Sequence, residues 1–349
     1  MIRKICGALF ILTVMVCTFN VPLAAQAPCV GKMAIYNYTF LNGDTNSWPR
    51  GCVWAGASPI AGDYWLECWT SSCPPPRWCP DCNGNKGAGS IGAPINITNG
   101  NTYIQQRDVR IPGLGGGLTL ERTWNSMLPT VLSPFQTGLF GSNWRSTYEE
   151  RVFAGSGSVY SGYMLYLQAN GGMWVFSANG SNWSLASPAS SVATLTQNGT
   201  STWTLAFQNG EQKIFSYTSG SLTSIKDRNG NTTQLTYDVQ NRLVTVTDPA
   251  SRTLTFTYGN SNFPNQVTSL SSSVGISYSY SYDTQGRLSQ VTKPDLTTVS
   301  FTYNTLSLLT TVTDSQGKTL ESHTYDSQKR GLTSSRANGV DTVTITYPQ

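Results

Sequence analysis

From its second half onward the chain is paced by tyrosine. Tyr217, Tyr237, Tyr258, Tyr282, Tyr303, Tyr325 and Tyr347 follow one another at intervals of 20, 21, 24, 21, 22 and 22 residues. A second, apolar ladder runs between them: Leu222, Leu243, Val267, Leu288, Leu309 and Leu332. A fixed period near 21 confines the chain to a repeat array, because each unit must bury its apolar face on its neighbours. Any local motif has to be read inside that frame.

Each period reads as two strands and two turns. One turn is written Tyr282-Asp283-Thr284-Gln285-Gly286-Arg287-Leu288, and again Tyr237-Asp238-Val239-Gln240-Asn241-Arg242-Leu243. The other is Asp227-Arg228-Asn229-Gly230-Asn231, or Asp314-Ser315-Gln316-Gly317-Lys318. Asp and Asn cap turns with their own side chains, and Gly or Asn supplies a positive φ. Leu254-Thr255-Phe256-Thr257-Tyr258 and Val343-Thr344-Ile345-Thr346-Tyr347 alternate with period two, one face apolar and the other hydroxylic. Upstream, Tyr163 to Phe176 flanks Asn170-Gly171-Gly172, and Trp203 to Phe207 runs into Gln208-Asn209-Gly210-Glu211, both hairpin signals. The expected fold is all-β, with antiparallel hairpin repeats in one curved, spiralling sheet. Charged residues are only 11% of the chain, against roughly 25% in an ordinary domain. Aromatics at 11% and a net charge of +4 argue against disorder, and no Lys/Arg cluster suggests a nucleic-acid partner.

The pattern Tyr-Asp-x-x-Gly-Arg-Leu followed by Val-x-Asp resembles the YD repeats of the RHS family. It is clearest at 282–291, with Tyr282, Asp283, Gly286, Arg287 and Leu288, good at 237–248 (Tyr237, Asp238) and at 325–332 (Tyr325, Asp326), and degenerate at Tyr303; Tyr258 keeps only the rung. Ahead of it, Gly92-Ala93-Pro94-Ile95-Asn96, Asp108, Ile111-Pro112-Gly113 and Leu120-Glu121-Arg122-Thr123-Trp124-Asn125-Ser126 resemble the domain of unknown function that precedes such repeats in bacteria. The resemblance covers about 91–349. It implies a bacterial YD sheet of the teneurin-like kind, coiled into a shell that encloses a C-terminal toxin. No Asp-Pro-containing core signature and no divergent tail follow Leu332, and about six repeats are too few to close a large cavity. The expectation is a partial β-shell without core or toxin, whose partners are a downstream RHS core or toxin piece or cell-surface glycans. A truncated remnant of a longer polymorphic-toxin protein is the other reading of the same absence.

The amino-terminal quarter has a different character. Arg3 and Lys4, the apolar run Ile5 to Phe19 and Ala25-Gln26-Ala27 have the order of a secretory signal peptide, with the cut after Ala25 or Ala27. The run is short for a membrane span, and no later stretch could serve as one. The mature protein is expected to be secreted or at the cell surface. Six cysteines remain, Cys29, Cys52, Cys68, Cys73, Cys79 and Cys82, an even number in an exported segment, which favours disulfides. Cys79-Pro80-Asp81-Cys82 leaves a zinc knuckle open as the rival, although no matched second pair stands at the right distance. Trp48, Trp54, Trp65, Trp69 and Trp78 share this module. They fill a small core, or else stack on sugars in a glycan-binding, adhesive module. The expected organisation is a signal peptide at 1–27 and a Cys/Trp-rich module at 28–90. The RHS-associated domain follows at 91–150, connecting hairpins at 151–216 and the YD repeats at 217–349.

Little in the sequence offers chemistry. The one histidine, His323, lies in a repeat strand beside Tyr325. Asp227, Asp238, Asp248, Asp283, Asp314 and Asp326 recur with the repeat, which is the mark of turn-capping, and Glu149-Glu150 is the one adjacent acidic pair considered for glycosidase work. Asp227-x-Asn229-x-Asn231 has Thr232 where a calcium loop needs Gly. Gly113 to Leu118 misses the dinucleotide spacing and precedes a strand. A non-enzymatic protein with no cofactor and no metal is therefore expected.

Overall fold

The computed structural model describes residues 94–96, 99–128, 135, 137–187 and 192–347, together with the backbone of strands Ala34–Thr39, Cys52–Ala57, Asp63–Cys68 and Ser90–Ile91. The signal-peptide segment and Cys29, Cys73, Cys79, Cys82, Trp48, Trp69 and Trp78 lie outside the described residues. From Arg151–Ala154 to Val340–Thr344, 19 strands form one antiparallel sheet in strict sequence order. A three-stranded sheet of Tyr103–Ile111, Leu118–Asn125 and Trp144–Ser146 packs against it. The Gly113 to Gly117 stretch between its first two strands is a tight turn containing one 3-10 segment, Leu114–Gly116.

The tyrosine ladder is a hydrogen-bond ladder. The phenol of Tyr237 donates to the carbonyl of Leu222, Tyr258 to Leu243, Tyr282 to Val267, Tyr303 to Leu288 and Tyr325 to Leu309, at 2.6–2.8 Å. The two sequence ladders are thus donor and acceptor of one repeating bond. Two ends depart from the pattern. Tyr347 reaches Gly331 and not Leu332, and Tyr217 is 38% exposed with its ring stacked on Trp203. Burial holds the phenol pKa of every rung from Tyr237 to Tyr325 above its ordinary value, so each remains a donor.

A β-bulge falls immediately before four of the rungs, at Thr236/Tyr237, Ser281/Tyr282, Thr302/Tyr303 and Thr324/Tyr325. Bulges bend a strand and increase its twist, so a bulge repeated once per unit curls the sheet. The 24-residue interval has a local cause. After Tyr258 the Asp turn is replaced by a longer loop, in which Asn260 Oδ1 accepts the amides of Asn262 and Phe263. Gln266 Nε2 then ties that loop to the carbonyl of Gly286.

The turns use one design. In Asp238–Arg242, Asp283–Arg287 and Asp326–Arg330, Oδ1 accepts the amides two and four residues on, while Oδ2 accepts the arginine Nε. The residue before the arginine adopts a positive φ whether it is Gly286, Asn241 or Lys329, and Leu296 and Ser307 do so in sister turns. At Lys329 the capping carboxylate of Asp326, at Ser307 the capping amide of Asn304 and at Leu296 the backbone frame of the turn override the usual restriction of that conformation to Gly and Asn. Desolvation raises the carboxyl pKa of Asp238 and Asp248, but the bonds from Arg242 and Arg252 outweigh it and leave both below the ordinary value. Their stabilising contribution is present above the unfolded-state pKa of about 3.9 and fades as pH falls through the lower folded value.

Alternation sends apolar residues inward and hydroxyls outward. Paired outward residues run across neighbouring strands as Thr236, Thr245, Thr255, Ser271 and Ser277, and again as Thr257, Ser269, Ser279, Thr292 and Thr298. From Thr232–Tyr237 to Thr298–Tyr303 no strand carries a charged residue. The last strand is Val340–Thr344, after a tight turn at Ala337–Gly339, where the alternation had placed a strand over Val343 to Tyr347.

The rung bond can be tested directly. Tyr282→Phe removes a donor from a buried carbonyl and should cost about 1–2 kcal/mol in urea denaturation. Tyr217→Phe, at the exposed end of the ladder, should stay within about 0.5 kcal/mol of the parent.

Candidate functional site: the seam between the preceding domain and the repeat sheet

Along Leu118–Asn125, Leu118, Leu120, Arg122 and Trp124 share the buried face of the strand. Arg122 is fully buried within that apolar row. Its Nε and Nη2 donate to the two carboxylate oxygens of Asp108 at 2.6 and 2.8 Å, a fork-to-fork pair. Asp108 Oδ2 also accepts the phenol of Tyr280 at 2.8 Å, from a repeat strand 172 residues away in sequence. The guanidinium lies 5.0 Å from the Trp144 ring centre and 5.5 Å from those of Phe140 and Tyr280. Desolvation opposes its charge, and Asp108 more than offsets this, raising the Arg122 pKa.

Around this pair the two sheets share one core. Ile104, Leu120, Trp124, Phe140 and Trp144 belong to the same buried cluster as Leu243, Phe256, Leu288 and Phe301. Trp144 Nε1 donates to the Tyr303 hydroxyl at 3.3 Å, and Trp124 meets the Tyr325 ring edge-on at 6.4 Å. Backbone links close the seam: Val267 N donates to Leu139 O, Gly331 N donates to Gly100 O, and Gly141 bridges to Arg287. A Cβ on Gly331 would fall 2.3 Å from Thr102 Oγ1, so the approach requires glycine there.

Asp227, Glu149 and Glu150 are each held by protein partners. Asp227 Oδ1 accepts the amides of Asn229 and Asn231, and its Oδ2 accepts Asn231 Nδ2, so both oxygens hold the turn. Glu149 and Glu150 are adjacent in sequence but bound to different partners. Glu149 accepts from Leu139 N and Ser146 Oγ, and burial pushes its carboxyl pKa up despite Arg145. Glu150 accepts from Tyr166 and Lys213. Among the described residues no group of three or more His, Cys, Asp or Glu is placed to hold a metal ion. No helix is long and apolar enough to cross a membrane. In the amino-terminal sheet the register sets Cys52 opposite Cys68, with Trp54 opposite Leu66 and Trp65 opposite Gly56.

The seam residues were visible in the sequence only in part. Asp108, Arg122 and Trp124 belong to the upstream motif, but that motif assigns them no role. The signal was period two: an arginine spaced with Leu118, Leu120 and Trp124 stands on an apolar face and needs a buried partner. His323 follows the same logic. It occupies the inward position that Phe256, Tyr280 and Phe301 fill in earlier repeats, with both ring nitrogens unbonded and a Glu321 oxygen 3.5 Å away.

Two substitutions separate the buried polar groups. Asp108→Asn leaves a buried guanidinium without its counter-charge and should cost about 3–5 kcal/mol, part of it recovered in Asp108→Leu/Arg122→Met. A double-mutant cycle in urea measures the coupling. His323→Leu restores the apolar position of the repeat and should raise the free energy of unfolding, read from urea denaturation, by about 1 kcal/mol.

A family model described as a domain of unknown function, DUF6531, matches residues 92–176, and the RHS repeat model matches 218–253 and 265–298. No curated protein matches the chain. Among solved structures, the crystal structure of TcdB2-TccC3-TEV aligns at 15% identity and TM-score 0.27, over 72% of this chain and 12% of that one. TcdB2-TccC3 aligns at 14% and 0.27, over 67% and 12%. The Photorhabdus luminescens Tc holotoxin pore aligns at 12% and 0.23, over 72% and 17%. The chain therefore spans under a fifth of each of these structures. The chain thus carries RHS repeats preceded by a DUF6531 match, whose small sheet packs on the buried face of the large one and whose remaining residues supply that large sheet's first strands.

Proposed function

We propose that the protein is an exported, non-enzymatic RHS scaffold in which the small sheet of residues 103–146, the first part of the DUF6531 match, serves as the internal plug on which the first turns of a β-shell are wound. The single observation that carries this reading is the shared core centred on Arg122, Asp108 and Tyr280. A hollow container would leave the inward faces of its repeats open to cargo. Here Phe256, Tyr280, Leu288 and Phe301 are covered by Phe140, Trp144 and their neighbours. A cargo space, and with it any toxin or core segment, would need repeats other than these. Strand Val340–Thr344, which ends the strand order among the described residues, offers the edge on which they would pair. Export rests on Arg3, Lys4 and the apolar run behind them, and the six remaining cysteines fit an oxidising destination. The register that faces Cys52 with Cys68 makes that pair the first disulfide to seek.

Native-state hydrogen exchange on the mature chain tests the plug. Amides of Leu118–Asn125 should open together with those of Leu243–Thr247 and Leu288–Thr292, at the free energy of global unfolding. A domain that exchanges or melts independently of the repeats would remove the reading. Fractionation of expressing cells tests export: an uncleaved, cytosolic product overturns it.

A further inference from the structure

The large sheet curls until its first strand, Arg151–Ala154, meets the turn that follows its seventh, Gln212–Ser216. Val152 N donates to Gly220 O there, Arg151 Nη1 donates to Ser219 O, and the main chain of Arg151 bridges to Ser221. Glu150 and Lys213, 63 residues apart, face each other at the same junction. We propose that these two side chains condense into an amide, a covalent cross-link that the folded chain forms within itself.

The approach of the two groups is that of reactants. Lys213 Nζ lies 2.8 Å from each oxygen of the Glu150 carboxylate. A nitrogen equidistant from both oxygens faces the carboxyl carbon, within the roughly 3–3.5 Å of a near-attack pair. The pair is also enclosed. The Glu150 and Lys213 side chains are only 7% and 15% exposed, and Nζ lies 5.5 Å from the Phe207 ring centre and 5.9 Å from that of Tyr166. Amide formation between free acid and amine is disfavoured in water. Two groups held in this way act at an effective concentration of roughly 10⁵ M or more, which offsets that disadvantage.

Two neighbours supply the remaining chemistry. Tyr166 donates to Glu150 Oε2 at 2.7 Å, which marks the oxygen on which negative charge develops. Burial, and then the charge of Glu150, hold its phenol pKa well above the ordinary value, so it stays a donor. Glu211 Oε1 stands 3.8 Å from Nζ and is the more exposed carboxylate, placed to carry a proton. The ammonium first passes a proton to Glu150 Oε1, leaving an amine beside a carboxylic acid. The nitrogen lone pair then attacks Cδ, forming the N–C bond and pushing the carbonyl electrons onto Oε2, which Tyr166 holds. Glu211 takes a proton from the nitrogen and returns it to the Oε1 hydroxyl, and the C–O bond breaks as the carbonyl re-forms. The products are a secondary amide and one water, and no other reactant is consumed. The water leaves by the groove that Glu150, Glu211 and Lys213 line. The bond staples the edge strand of the sheet to its next winding and so fixes the curl where it begins.

The cross-link is independent of the plug reading, which stands or falls on hydrogen exchange. Mass spectrometry of the full mature chain, denatured and with its cysteines reduced, tests it. The mass should fall one water below that of the sequence. Digestion with trypsin and chymotrypsin should release a single branched peptide containing both Glu150 and Lys213, although the chain between them is cut. Lys213→Arg keeps the charge and removes the nucleophile, and should show the full mass. Glu211→Gln removes the proton carrier, and should lower the cross-linked fraction at early times after synthesis about tenfold or more. Thermal midpoints verify that each variant is folded. The branched peptide is read in the parent, so a substitution that fails to fold leaves the test standing. A reduced parent of full mass with no branched peptide overturns the proposal. So does a water loss that a folded Lys213→Arg retains, because the dehydration then lies elsewhere. An unchanged rate in Glu211→Gln overturns the route through that carboxylate.

Discussion

A guanidinium removed from water is among the costliest groups a protein can bury, and this fold is arranged around one. Arg122 is tolerated because Asp108 matches its fork, Tyr280 satisfies the remaining lone pair of Asp108 Oδ2, and three rings surround the cation. Those partners come from both sheets. The pair therefore reports on docking: separate the domain from the repeats and Asp108 loses Tyr280 while Arg122 loses ring cover. A purely apolar interface would hold the sheets together over a range of offsets. This one holds them in a single register, because the polar partners meet in only one arrangement.

Within the repeats the governing interaction is much smaller and is used many times. Each rung phenol reaches back 15 or 16 residues to a main-chain carbonyl, and so binds one hairpin to the hairpin before it. The bulge before the rung aims the tyrosine, and the Asp-Arg turn after it reverses the chain. Arg242, Arg287 and Arg330 then lie over the next rungs, Tyr258, Tyr303 and Tyr347, at 4.6, 4.9 and 4.0 Å. Bulge, rung, turn and cation thus form a closed local set. Within the sheet each set engages only the neighbouring unit, which is why one unit can be stacked on another without new design.

That locality explains what could be read from the sequence. The Tyr and Leu ladders, the Asp-capped turns and the alternation each lie within about 20 residues, so period and spacing carry them. The seam does not: Tyr280 and Asp108 are 172 residues apart, and nothing periodic links them. Arginine is also read by default as a surface residue, and only its phase among Leu118, Leu120 and Trp124 betrays burial. The positive φ of Leu296 and Lys329 was likewise hidden, because residue preference there yields to the capping carboxylate or to the turn frame. Glu150 and Lys213 were invisible as partners for the same reason as the seam, since they are 63 residues apart.

The outward face of the repeats has a consequence of its own. Its hydroxyls bond to one another across strands, as Thr324 does with Thr333 and Ser322 with Ser335, and seven successive strands contribute no charge. Such a wall projects almost no electric field. Counter-ions neither gather on it nor leave it, and an approaching macromolecule is neither drawn in nor turned away from a distance. The outward face of these seven strands is therefore electrically quiet at any ionic strength, and the charge of this stretch is gathered instead in the turns at its edges.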